Sequence, residues 1–226
     1  MAVFVLTLPI RPQSLNARFV EARYLPLPGL LSGNGLKALQ EETGRLESAA
    51  KRRDFRMECM DDSPRHMTAL GGRRIARESA LISALYRDAG LLELLTALTG
   101  TAVLPVQEEV ERHVLNILHR PGDTHGAHTD DYPLALVLFL ESPSEPDDGG
   151  LLEYHPGRQD LAALEESGTR QAHHQAGDAY LLRSDLTAHR VTPLRRSGTR
   201  RTVLNFAYTT PGHQNLATDS AHLLYG

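Results

Sequence analysis

At 226 residues the chain is long enough for one domain with a sizeable core and short for two. Lys+Arg 24 against Asp+Glu 28 give a net charge of −4 with no long basic run, which argues against a nucleic-acid partner because phosphate neutralisation dominates that affinity. Cys59 is the lone cysteine, so an intramolecular disulfide and a thiolate-rich zinc site are excluded, and no stretch approaches the ~18 apolar residues of a membrane span.

In chain order, Met1 to Pro9 is apolar without the charge and cleavage pattern of a signal peptide, and reads as a first strand. The expected compartment is the cytoplasm. Leu36 to Leu46 has apolar positions at helical spacing. Glu78 to Leu98 has the same period, and Asp88-Ala-Gly90 divides it into two helices. The loops Met57 to Arg73 and Ser142 to Gly150 are candidate lids. From Glu108 the texture becomes β-rich: Val110 to Leu118, Leu134 to Leu140 and Val203 to Tyr208 are strand-like runs bounded by Pro, Gly and Asp. Gly157 to Gly177 is polar and reads as an insertion loop with a helical turn. Helices first and strands afterwards predict an α+β fold, a jelly roll buttressed by N-terminal helices. The expected organisation is one domain over 1–226, with helical and strand support at 1–107, the jelly-roll core at 108–210 and a tail at 211–226.

Eleven histidines in a chain without tryptophan direct attention to a metal or acid–base site. The sharpest local feature is Thr124-His-Gly-Ala-His-Thr-Asp-Asp131, just before an apolar strand. On an extended segment residues i and i+2 share a face, so His128 and Asp130 can reach one ion together. His189, after a strand that Gly177-Asp178 introduces, supplies a third ligand. Two His and one carboxylate on one side of a metal leave the opposite positions open, as non-haem iron requires to bind a bidentate cosubstrate and dioxygen together. An isolated His-x-Asp pair is usually a surface accident. The ordered series is what raises this one, because Arg200 and Arg201 follow about a dozen residues after His189 and offer a planar fork for a carboxylate.

The run from Glu111 to Tyr208 resembles the double-stranded β-helix core of the Fe(II)/2-oxoglutarate oxygenase superfamily, with its His-x-Asp…His…Arg order. It is most similar to the branch of free-amino-acid (lysine-like) hydroxylases and halogenases. The matches are Ser63-Pro-Arg-His-Met67, Gly122-Asp-Thr-His-Gly126, Asp130-Asp-Tyr132, Gly149-Gly150, Gly177-Asp178, His189-Arg-Val191 and Arg200-Arg-Thr-Val-Leu-Asn205. The resemblance implies Fe(II) on His128, Asp130 and His189, 2-oxoglutarate and O2 as cosubstrates, and a small-molecule substrate. Halogenases of that branch replace the metal carboxylate with glycine so that chloride takes the vacated position. Asp130 therefore implies hydroxylation.

Alternation places Arg201 with Val203, Asn205 and Ala207, and Arg200 with Thr202, Leu204 and Phe206. The first set suits a ligand-lined interior, which favours Arg201 for the distal carboxylate of 2-oxoglutarate. The superfamily's Arg-x-Ser/Thr spacing also fits Arg200 and Thr202, and His113 joins these as a further cosubstrate contact. For the substrate, the resemblance places Glu111 and Asp131 at amino groups, His125 and Arg65 near a carboxylate, and Asn205 in the same pocket. Glu111 is read on the strand face of His113, Leu115 and Ile117, pointing inward. Two acids favour a basic amino acid. The branch's C-terminal aromatic is matched only by Tyr225. A metal-binding cupin without 2-oxoglutarate, a non-catalytic module on the same fold and a zinc hydrolase with the same ligands are the competing readings. A homodimer is compatible with the sequence, which does not fix the oligomeric state.

Overall fold

The computed structural model describes residues 5–7, 12–213 and 219–226. Most of the expected first strand at Met1 to Pro9 lies outside these residues, though Leu6 bridges Leu31. The helical expectations hold with small extensions. Helix α1 spans Gln13–Ala22, and α2 spans Gly33–Glu47, where the Ser32 hydroxyl accepts from the Gly35 N–H and caps the start. Gly35, Leu39, Thr43 and Leu46 form its buried face. The break at Asp88 is a cap: its carboxylate accepts from the Leu91 N–H, separating α4 (Ala80–Tyr86) from α5 (Ala89–Thr99). Helix α3 (Gly72–Glu78) precedes them, and α7 (Asp219–Tyr225) ends the chain. Among the described residues no helix is long and apolar enough to cross a membrane.

The first half is less helical than its texture suggests. Strands β1 (Tyr24–Leu27), β2 (Lys51–Met57) and β3 (Ser63–Leu70) join β4 (Leu104–Pro105), β5 (His113–Leu118), β6 (Thr124–His125), β7 (Leu134–Glu141), β10 (Ala179–Leu182) and β12 (Arg201–Thr209) in one nine-stranded sheet. Its order is β1-β10-β7-β12-β5-β3-β2, with β4 beside β12 and β6 beside β3. Against it lies a three-stranded sheet, β11 (Ala188–Val191), β8 (Leu152–His155) and β9 (Arg170–Ala172). The pairings are antiparallel, as in a jelly roll. The region from Met57 to Arg73 is thus mostly hairpin, with a turn at 58–62 and the start of α3 after Leu70.

The central strands are buried on both faces, and this separates scaffold from site. On β7, Leu134, Leu136, Leu138 and Leu140 pack into the helical layer, while Ala135, Val137 and Phe139 face the smaller sheet. On β12, Leu204, Phe206 and Tyr208 join the helical side, and Val203 joins the interior. Tyr86 of α4 anchors the helical side by stacking on Tyr208 at 4.8 Å and donating its hydroxyl to the Ala207 carbonyl at 2.7 Å.

Gly71 sets how closely α7 can approach the sheet, because a Cβ there would collide with the Tyr225 carbonyl. Gly71→Ala is expected to push α7 outward and to cost about 1–3 kcal/mol, as overpacking does. A chemical-denaturation midpoint equal to wild type would show that α7 is not held this way.

Candidate active site

His128 and His189 sit on opposing extended segments that hydrogen-bond each other reciprocally. The His128 N–H donates to the His189 carbonyl at 2.9 Å, and the His189 N–H donates to the His128 carbonyl at 3.0 Å. In both rings Nδ1 faces a carbonyl two residues back, Gly126 at 2.7 Å for His128 and Thr187 at 2.9 Å for His189. That contact fixes Nδ1 as the protonated nitrogen and leaves Nε2 as the free donor atom. The two Nε2 atoms lie 3.5 Å and 3.9 Å from the same Asp130 oxygen. One atom from each of the three residues falls within 4.8 Å of the others.

The electrostatics suit a divalent cation. Burial, with the neighbouring His189, His125 and Arg65, holds His128 well below the usual histidine range, so it stays the neutral imidazole a metal needs. Burial pushes the Asp130 carboxyl upward, which makes its charge costly until a cation neutralises it. The donor set, one carboxylate and two imidazoles, fits iron(II).

Two cavities meet at this triad and share His125, His128 and Asp130. One runs inward between the sheets past Val137, Tyr180 and Asn205 to Arg201. Arg201 is 3% exposed, its guanidinium lies 4.9 Å from the Phe139 ring centre, and its Nε has no hydrogen-bond partner. Tyr180 is its hydrogen-bonding neighbour, and among the described residues no carboxylate pairs with it. A buried cation without a counter-charge is expensive unless an anion arrives. A dicarboxylate reaching from the metal to Arg201 meets that requirement, and the residues present fit 2-oxoglutarate. Gly150, with φ +71°, lets the loop pass close to the Arg201 side chain, since a Cβ there would lie 3.3 Å from Cδ. The Ser142 to Gly150 segment, expected as a lid, therefore backs this inner cavity.

The second cavity opens outward beneath the 58–62 turn and α7, lined by Met57, Met60, Arg65, Glu111, Asp131 and Tyr225 among others. Arg65 is 1% exposed, bonded through Nη1 to the Ser63 hydroxyl at 2.6 Å, and its Nε lacks a partner. Burial lowers it to about 10. Glu111 is pushed up to about 9 by burial, by the charges of Asp131 and Asp130, and by a hydrogen bond to Asp131. His125 stacks on His128 at 4.1 Å.

The sequence of the chain is matched over residues 10–223 by the profile of the HalD (Halogenase D) family. The chain belongs to the Halogenase D family. No curated protein matches this family member. Among solved structures it is similar to the epimerase SnoN in complex with Fe3+, alpha ketoglutarate and nogalamycin RO, with 15% identity over 89% of this chain and 84% of that one and a TM-score of 0.69. AviO1 from Streptomyces viridochromogenes Tue57 aligns with 18% identity, 92% and 98% coverage and a TM-score of 0.68. HygX from Streptomyces hygroscopicus, with nickel and 2-oxoglutarate bound, aligns with 13% identity, 90% and 89% coverage and a TM-score of 0.67. At these identities the likeness establishes the jelly-roll fold.

The sequence-derived residues separate cleanly within this Halogenase D fold. His128, Asp130, His189, His125, Arg65, Glu111, Asp131, Asn205 and Arg201 all line the two cavities. Three do not. Arg200 turns to the helical side and pairs with Glu47 at 3.0 Å and Glu141 at 3.1 Å. Thr202 donates to the same Glu141. His113 packs edge-on against Tyr86 at 5.3 Å, in register with Phe206 on the helix-facing side of the sheet. These placements remove Arg200, Thr202 and His113 from contact with a cosubstrate between the sheets. Glu111 is not on a strand either. It lies in a helical turn, α6 (Glu109–Arg112), capped by the Glu108 carboxylate, and this turn delivers it to the outer cavity although Leu115 and Ile117 face the helices. Tyr180 and Asn116, absent from the sequence reading, also line the inner cavity. Tyr180 lies on β10, a short strand buried on both faces, where no local feature marks the face turned to the cavity.

Proposed function

We propose that this chain is an iron(II)- and 2-oxoglutarate-dependent oxygenase that hydroxylates an unactivated C–H bond of a small molecule, with a free basic amino acid as the substrate class. The observation that carries the reading is a buried Arg201, without a carboxylate partner among the described residues, in the cavity that starts at the His128–Asp130–His189 triad. In this reading residues 1–226 act as one domain in the cytoplasm. Iron(II) on the triad, with 2-oxoglutarate and O2, supplies the oxidising power that turns C–H into C–OH while 2-oxoglutarate becomes succinate and CO2.

The chain's own residues do the positioning. Arg201 and Tyr180 hold the far carboxylate of 2-oxoglutarate. Arg65 and His125 receive the substrate carboxylate, Glu111 and Asp131 receive its amino groups, and Asn205 borders the space between. Met57, Met60 and Leu224 give the outer cavity its apolar lining. Asp130 would occupy the position on the metal that a halide needs, so hydroxylation is favoured over the halogenation in the family's name.

Glu111 offers a pH test. A cationic amine needs the carboxylate form, and the ligand-free group is pushed up to about 9. Binding therefore draws a proton off Glu111, and affinity for a basic amino acid strengthens as pH rises toward that value. Iron on Asp130 cancels part of the upward push and moves the slope to lower pH. Calorimetry in two buffers of different ionisation enthalpy is expected to show proton release, and Glu111→Gln to abolish it. Binding without proton release would remove Glu111 from the amino-group site.

The deciding experiment mixes the protein with Fe(II), ascorbate, 2-oxoglutarate, chloride and a panel of free amino acids, and follows succinate and product mass. Succinate tied to a basic amino acid one oxygen heavier is the expected result. A chlorinated product would overturn the role given to Asp130. Succinate without amino-acid preference would overturn the substrate class, and no succinate from iron-loaded protein would overturn the oxygenase reading.

A further inference from the structure

The two rings that touch Arg201 are packed by side chains from distant parts of the chain. His174, just after β9, is 5% exposed and stacks against Phe139 at 4.7 Å and Tyr180 at 5.2 Å, the two rings that touch Arg201. From its far side the His174 Nε2 meets the Tyr24 hydroxyl at 3.0 Å. Tyr24 is itself backed by Tyr154 at 4.5 Å. The Ser142 hydroxyl donates to the His174 carbonyl at 2.6 Å and fixes the backbone of this segment.

The register places this group at the end of the cavity remote from the metal. On β7 the interior positions run Ala135, Val137, Phe139, and on β12 they pair as Ala207, Asn205, Val203, with Arg201 beyond. Ala135, Val137 and Asn205 line the cavity alongside the triad, whereas Phe139 and His174 are not part of its lining. Burial and the nearby Arg201 lower His174 to about 4, so it meets the guanidinium as a neutral ring and not as a second cation. His174 thus backs the two rings, Phe139 and Tyr180, that Arg201 rests against.

We propose that His174, held by Tyr24, is a positioning residue: it forms the end wall that fixes how far Arg201 stands from the metal triad, and so selects a five-carbon 2-oxo-dicarboxylate over its six-carbon homologue. The inference rests on the reading that Arg201 binds the distal carboxylate. A rigid guanidinium at a fixed reach accepts one chain length, and an added methylene must push either the fork or the wall. Removing the imidazole leaves a void beside Phe139 into which Arg201 can withdraw.

The test compares 2-oxoglutarate with 2-oxoadipate. Each is titrated anaerobically into the Fe(II) protein while the visible charge-transfer band of the metal–oxoacid complex is followed, which reports binding without turnover. Wild type is expected to prefer 2-oxoglutarate at least ~30-fold, and His174→Ala to lose at least ~10-fold of that preference at unchanged iron content. Tyr24→Phe keeps the ring but releases His174, and is expected to lose part of the preference. A His174→Ala ratio equal to wild type overturns the inference, and if that variant does not fold, a wild-type ratio in Tyr24→Phe overturns it instead. Arg201→Ala separates the two readings: unaltered 2-oxoglutarate binding there strikes the cosubstrate assignment itself, whatever His174 does.

Discussion

Arg201→Ala is expected to abolish the response to 2-oxoglutarate while leaving the ligand-free protein as stable as wild type or more so. The first half follows from burial. With the guanidinium gone, the distal carboxylate would enter a space between the sheets with only Tyr180 to receive it, and leaving a buried charge unpaired costs roughly 3–5 kcal/mol. That corresponds to a fall in affinity of at least ~100-fold. The second half follows from the absence of a counter-charge among the described residues: the fold bears the desolvation of Arg201 without return until an anion arrives, and burial already lowers its pKa. Thermal melts with and without 2-oxoglutarate separate the two effects. Wild type should gain stability from the cosubstrate and Arg201→Ala should not. Arg200→Ala should keep the full response, because Arg200 sits in a partly exposed pair of ion contacts to Glu47 and Glu141 worth about 0–1 kcal/mol. A variant at Arg200 that loses the response, beside one at Arg201 that keeps it, would reverse the assignment.

Asp130→Ala is expected to lower iron affinity by at least ~100-fold and to end turnover, again without loss of fold. Its carboxyl is pushed up by burial when no cation is near, so the substitution relieves a cost in the ligand-free state. Iron content after gel filtration, read beside the melting temperature, checks both parts. Iron retained at the wild-type level would mean that the ion is held elsewhere. Both variants test one principle: in the proposed reading, the groups that carry function are those the ligand-free fold would be better without.

The clustering of His128, Asp130 and His189 was legible because its geometry is local. His128 and Asp130 share an extended face by spacing alone, and His189 follows in a fixed order. Arg201 was legible for a related reason, since β12 lies centrally with both faces buried and alternation splits it into two sets of different chemistry. Alternation identifies which residues share a face and not which face is inside. That is why His113 was placed with the site although it packs on Tyr86. Glu111 reached the outer cavity by a helical turn that a β-rich texture concealed. Strand β2 was hidden differently: Lys51, Arg52, Arg53 and Arg56 are what an edge strand carries against unwanted pairing, and they do not read as β. The His174–Tyr24 contact joins residues 150 positions apart, and no pattern in the chain announces it.

The reciprocal backbone bridge between His128 and His189 bears on what the protein would be between encounters with the iron proposed for it. The two segments are tied to each other by their own amides, so the ion is not the clasp that holds them. Stripping it with a chelator should leave a receptor already shaped for the next ion, unlike a zinc finger, which collapses when emptied. Occupancy can then follow the surrounding iron supply reversibly, and the polypeptide need not be remade each time the metal is lost.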